Sequence, residues 1–143
     1  MRVLTSKESV LRFLDKISNT IIKLKYRNAT EEERIKFSSE LYTRRGNKVV
    51  INSVVYRKYG AMVCTGIGDN CYCDEEGNVI SSDPGSENYN DNWKELIEKY
   101  APEHLIELGK LVFESMTAIT DTKNIEIEIG SEEVPLAKES GVI

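Results

Sequence analysis

Three cysteines and one histidine carry the most reactive side-chain chemistry in this chain: Cys64, Cys71, Cys73 and His104. Together they supply the ligand types of a Cys3His zinc site. Structural zinc sites hold their ligands in paired knuckles of CxxC-like spacing, whereas here one CxC stands with an isolated cysteine and an isolated histidine. The other chemistry open to a thiol is nucleophilic, and it requires a base and an orienting group. His104, with Glu103 beside it, is the only imidazole, and no nucleophile signature surrounds any of the thiols. The pattern predicts no catalytic, cofactor-binding or metal-ligating residues. Cys64 is expected to pack on a helix face, with Cys71 and Cys73 in a hairpin. Three cysteines cannot all pair within one chain, so free thiols of a reducing compartment are the expectation.

Two further stretches invite a chemical reading and fail it on spacing. Gly66-Ile67-Gly68-Asp69 lacks the third glycine and the later acidic residue of a dinucleotide fingerprint, and it is placed to end a helix rather than open one. Residues 69–76 are acidic but miss the alternate-position ligands and central glycine of a calcium loop, so they read as a solvated turn. The one basic concentration is Arg44-Arg45 with Lys48, Arg57 and Lys58. It reads either as a solvated helix end or as an electrostatic docking patch for an acidic partner.

The elements that would position these residues follow from periodicity and caps. Val10, Leu11, Phe13, Leu14 and Ile17 fall on one side of a helix, and Thr5 with Glu8 has the spacing of a capping box, so a helix is expected over residues 6–17. Ser18-Asn19 ends it, and residues 20–26 alternate as a half-buried strand presenting lysines to water. Thr30-Glu31-Glu32-Glu33 is a second capping box with an acidic first turn, predicting a helix with apolar face Ile35, Phe37, Leu41 and Tyr42 that ends after Arg44-Arg45 at Gly46. Residues 49–63 mix β-branched residues with helical spacing at Ile51, Val54, Val55, Tyr59, Met62 and Val63, and periodicity over three turns selects helix. Cys71-Tyr72-Cys73 and Asn78-Val79-Ile80 flank a turn and predict a short hairpin, and residues 81–92 read as a surface loop. Helices are predicted from Trp93, with Leu96, Ile97 and Tyr100 on one face, and from Pro102, with Leu105, Leu108, Val112 and Met116. Ile125-Glu126-Ile127-Glu128-Ile129 alternates as an edge strand would.

These elements assemble into an α+β, predominantly α-helical fold with a short N-terminal strand and a small β-hairpin. Residues 1–117 form a single mainly helical domain, and 118–143 a loosely held C-terminal segment. A chain of 143 residues is long enough to bury a core without staples. With 19 Lys and Arg against 24 Asp and Glu its net charge is −5, which argues against a nucleic-acid partner. The N-terminal residues turn polar before an apolar export segment develops, and no apolar run approaches the roughly 20 residues that cross a bilayer, so the expected location is the cytoplasm, without membrane contact.

The order of segments resembles small proteins from the tail-gene region of tailed bacteriophages and prophages. The residues that carry the likeness are the lysine-bearing strand at 20–26, Ala29-Thr30-Glu31-Glu32-Glu33-Arg34, Tyr56-Arg57-Lys58-Tyr59-Gly60 and Thr65-Gly66-Ile67-Gly68. It continues through residues 74–82, Asn92-Trp93-Lys94-Glu95-Leu96-Ile97, Ala101-Pro102-Glu103-His104-Leu105 and Leu111-Val112-Phe113-Glu114. Spanning roughly residues 20–115, it is most similar to the tail assembly chaperones of the host cytoplasm. The resemblance implies a non-enzymatic morphogenesis factor that binds a tape measure or tail tube protein. Separately, the amphipathic segments offer more apolar faces than one core must use, and the spare faces could take a helical client or a second copy of the chain as a homo-oligomer. Its alternatives are a structural component of the virion tail or neck, or a small thiol or zinc-dependent enzyme. For such a role the residues expected at a protein contact are Arg44, Arg45, Tyr59 and Trp93.

Overall fold

A computed structural model of the chain describes residues 1–4 and 7–114. Ser9–Asp15 (β1) and Thr20–Tyr26 (β2) are antiparallel strands, followed by helix Glu31–Leu41 (α1) and a hairpin of Tyr42–Arg45 (β3) and Lys48–Ile51 (β4). Helix Val54–Val63 (α2) leads directly into strand Cys64–Ile67 (β5), which pairs antiparallel with β2, so the main sheet runs β1-β2-β5. Tyr72–Cys73 (β6) and Val79–Ile80 (β7) form a small second hairpin, and helices Trp93–Tyr100 (α3) and Pro102–Phe113 (α4) follow. Four helices and seven strands among the described residues make the fold α+β, and the predominantly helical expectation is overturned. The edge strand expected at 125–129 and the loosely held segment 118–143 lie outside the described residues.

The correction begins at residues 6–17. Leu11, Phe13 and Asp15 point inward while Val10, Arg12 and Leu14 face out, a period of two. An apolar-rich run satisfies both periods, and pairing decides between them. The register Leu11↔Leu24 and Phe13↔Ile22 sets β1 on the β2 strand that the sequence did predict. The Ser18-Asn19 break is the turn of that hairpin, with Asn19 at φ 58 and the Ser18 amide and hydroxyl both donating to Asp15 Oδ2.

The capping box at Thr30 forms as predicted: Glu33 N–H donates to Thr30 Oγ1 at 3.2 Å, and Thr30 N–H donates to Glu33 Oε1 at 2.9 Å. The helix then stops at Leu41, not at Gly46. Arg44 and Arg45 belong to β3, and Gly46 at φ 62 opens the two-residue turn to Lys48. Only Val54–Val63 of the stretch 49–63 is helix, because β-branched Val49-Val50-Ile51 pairs with β3 and Asn52 closes the hairpin base by donating to the Leu41 carbonyl. Likewise Gly66 and Gly68 do not end that helix: it gives way to strand at Cys64, and Gly66 lies within β5.

The core has two connected parts. Ile22 and Leu24 of β2, Val63, Cys64 and Ile67 around the α2–β5 junction, Ile97 of α3, and Leu105, Leu108 and Val112 of α4 form the larger. Phe37 and Leu41 of α1 with Val55, Tyr56 and Tyr59 of α2 form the other, closed by Phe113, which stacks on Phe37 with centroids 4.6 Å apart. α2 serves both because it lies directly against α4. A Cβ at Gly60 would overlap the Leu105 carbonyl, and one at Gly109 the Tyr56 carbonyl.

Arg27 ties α1 to the end of α2: its guanidinium donates to both Glu33 oxygens, at 2.9 and 2.8 Å, and to the Met62 carbonyl at 3.3 Å. This bidentate bond holds the Glu33 carboxyl down to about 2 from its ordinary 4.5. The folded state thus favours the ionised form, so the stabilisation is complete above about pH 4.5 and is lost as pH falls through about 2. Thermal unfolding from pH 5 downward should show a steeper loss in the wild-type chain than in Glu33→Gln, which should itself cost about 1–2 kcal/mol near neutrality. Gly60→Ala or Gly109→Ala should cost about 3 kcal/mol or more in denaturant unfolding, since the overlap is with backbone and cannot be relieved by a rotamer change; a loss under 1 kcal/mol would show that the helices can separate at little cost.

Candidate functional site

The thiols do not converge on the histidine. Cys64 is buried at the start of β5, its thiol directed to the Gly66 carbonyl at 3.5 Å, and burial pushes it up to about 11, so it stays protonated at neutral pH. It packs at a helix-to-strand junction rather than on a helix face. Cys71 is half-buried and accepts from Lys23 N–H at 3.4 Å, and Cys73 is exposed on β6.

His104 is nine-tenths buried in the first turn of α4. Its Nδ1 lies 2.8 Å from the Tyr72 hydroxyl, its Nε2 lies 3.4 Å from Asp15 Oδ1, and the Phe13 ring meets it edge-on at 4.8 Å. Burial pushes the Tyr72 hydroxyl far above its ordinary value, so it remains a neutral phenol. The Asp15 carboxyl is held below the usual range, chiefly by the Ser18 hydroxyl. Asp15 was missed in the sequence because the helical reading placed it near a helix end. Read as a strand, β1 would have put it at the end of the inward-facing row.

The acidic residues after Asp69 serve a turn. Asp74 Oδ1 accepts the backbone N–H of Glu76 and Asn78, at 2.9 and 2.8 Å, and Gly77 at φ 86 completes the reversal between β6 and β7.

Of the four residues expected at a protein contact, Arg44 and Arg45 are the most accessible, both exposed on β3. Every residue of the β3–β4 hairpin is exposed, including Tyr42, Val49, Val50 and Ile51. The register places Arg44 opposite Val49 and Arg45 opposite Lys48, so three cations and four apolar side chains share a two-stranded ribbon. Tyr59 is only 1% exposed. Its ring packs against Phe37 and Phe113, and its hydroxyl donates to Glu40 at 2.8 Å, so it belongs to the core. Trp93 is half-buried at the start of α3. It lines an apolar hollow of about 450 Å³ with Leu96, Ile97, Tyr100, Tyr72 and Ile80, edged by Asp74 and Glu75.

No family model matches the chain, and neither the curated proteins nor the solved structures contain a match to it. Among the described residues no helix is long and apolar enough to cross a membrane.

Because burial separates the three thiols, their native reactivity should be graded. Cys73 should react promptly with a disulfide reagent, Cys71 more slowly, and Cys64 only on unfolding; prompt reaction of all three in the folded chain would place Cys64 at the surface.

Proposed function

We propose that the chain is a non-catalytic protein-binding domain of the tail assembly chaperone kind, acting in the host cytoplasm and engaging an elongated helical client, a tape measure or tail tube protein, through its β3–β4 hairpin. The observation that carries this reading is the hairpin itself. A two-stranded ribbon is marginal in water, and an exposed ribbon rich in Val and Ile is an aggregation hazard that folds normally cover or charge. Here Tyr42, Val49, Val50 and Ile51 are uncovered, with only Arg44, Arg45 and Lys48 beside them. Apolar side chains would supply contact area. The cations, concentrated in a chain of net charge −5, would steer an acidic client and disfavour self-pairing of the ribbon. The resemblance in segment order to tail-region proteins supports the choice of client.

The test is co-expression with the product of a neighbouring tape measure gene. The wild-type chain should raise the soluble yield of that client and co-purify with it, whereas Arg44→Glu/Arg45→Glu and Val49→Asp should each lose most of the effect. Because these side chains are exposed, each variant should unfold within about 0.5 kcal/mol of the wild type per substitution. Undiminished rescue by both variants would remove the hairpin from the contact, and a chain dispensable for making tailed particles would end the assembly reading.

A further inference from the structure

Asp15, at the end of β1, and Glu103 and His104, in the first turn of α4, each present a ligand atom, and the three atoms lie within 4.8 Å of one another. They border an open hollow of about 330 Å³ between the β1–β2 turn and α4. We propose that this cluster is a binding site for a divalent transition-metal ion of the zinc class.

The separation of Asp15 Oδ1 and His104 Nε2 carries the argument. At 3.4 Å it is longer than an ordinary N–H···O bond of about 2.7–3.2 Å. It is the separation expected of two ligands on one ion: with metal–ligand bonds of about 2.0–2.1 Å it subtends about 110°, near the tetrahedral angle. The second shell points the same way. Asp15 turns its other oxygen to Ser18, which donates from both hydroxyl and amide, at 2.7 and 3.2 Å, leaving Oδ1 directed at the histidine. His104 has its other nitrogen on the Tyr72 hydroxyl at 2.8 Å, an outer partner of the sort that fixes ring orientation and tautomer in metal-bound imidazoles.

With metal bound at Nε2, the ring would donate from Nδ1 to the Tyr72 oxygen. Without it, Tyr72 would donate to Nδ1, and Nε2–H would face Asp15. Glu103 is exposed, so its flexible side chain can close the remaining distance. Two carboxylates balance a divalent charge and outweigh the positive end of the α4 dipole. One imidazole with two carboxylates suits zinc, or manganese and iron(II), better than calcium or magnesium, which take oxygen ligands. The fourth position would hold water from the hollow. This site is distinct from the cysteine set, and it joins β1 to α4, which are far apart in sequence.

The experiment is calorimetric titration of the full reduced chain with zinc chloride, paired with cobalt(II) absorption. One equivalent should bind with a dissociation constant in the micromolar range or tighter. Glu103→Gln, at an exposed position that leaves the fold intact, should weaken binding about tenfold or more, as should Tyr72→Phe, which removes the second-shell partner. Cys71→Ser/Cys73→Ser should bind as the wild type does. The cobalt form should show weak visible bands without a thiolate charge-transfer band in the near ultraviolet. Absence of binding at millimolar zinc overturns the site. So does binding that survives Glu103→Gln but is lost with Cys71→Ser/Cys73→Ser, or a strong thiolate band.

Discussion

The contact of α2 with α4 is the constraint on which the rest of the structure depends. Gly60 and Gly109 let each helix receive a backbone carbonyl of the other where any side chain would intervene. Tyr59 of α2 meets Phe113 edge-on in one part of the core while Val63 joins Leu105 and Leu108 in the other, so one helix serves both parts. A glycine in a helix interior costs roughly 1 kcal/mol relative to alanine, and here that cost is offset by close packing along both helices.

The polar ties at the edges of this pair attach what does not share the main core. Arg27 and Glu33 tie α1 to the end of α2, and Arg34 donates to the Val112 carbonyl at the last turn of α4 at 3.0 Å. These ties hold the first turn of α1, Lys58 and Tyr59 donate to Glu40 near its other end at 2.7 and 2.8 Å, and the helix buries little more than Phe37 and Leu41. Beyond Leu41 every residue of the β3–β4 ribbon is exposed, so among the described residues nothing covers either of its faces. The most exposed apolar element thus grows from one of the most firmly capped helices.

On the opposite side the polar line Tyr72, His104 and Asp15 connects the small hairpin, α4 and the main sheet through groups that are largely buried. A buried line of this sort is worth most when every member has a partner. Ser18 on Asp15 and Tyr72 on His104 supply theirs, which leaves the gap between Asp15 and His104 as the loosest step. No thiol is a member of this line, and the three differ in burial: Cys64 buried, Cys71 half-buried and Cys73 exposed.

The sequence by itself determined the features whose hydrogen bonds close within a few residues. Thr30 and Glu33 cap α1, Asp74 and Gly77 turn the small hairpin, Pro102 opens α4, and the alternation of residues 20–26 makes β2. It also placed Arg44 and Arg45 among the accessible basic residues, though on a helix they do not join. Only the tertiary structure decided whether residues 9–15 and 48–51 follow a period of two or of 3.6, because apolar and β-branched runs accept either until a partner strand takes up their backbone groups. It decided that Tyr59 is core and that Tyr42, Val49 and Ile51 are not, since burial depends on which face finds a neighbour. It also brought Asp15 to His104 across 89 positions of chain, a meeting that no local spacing encodes.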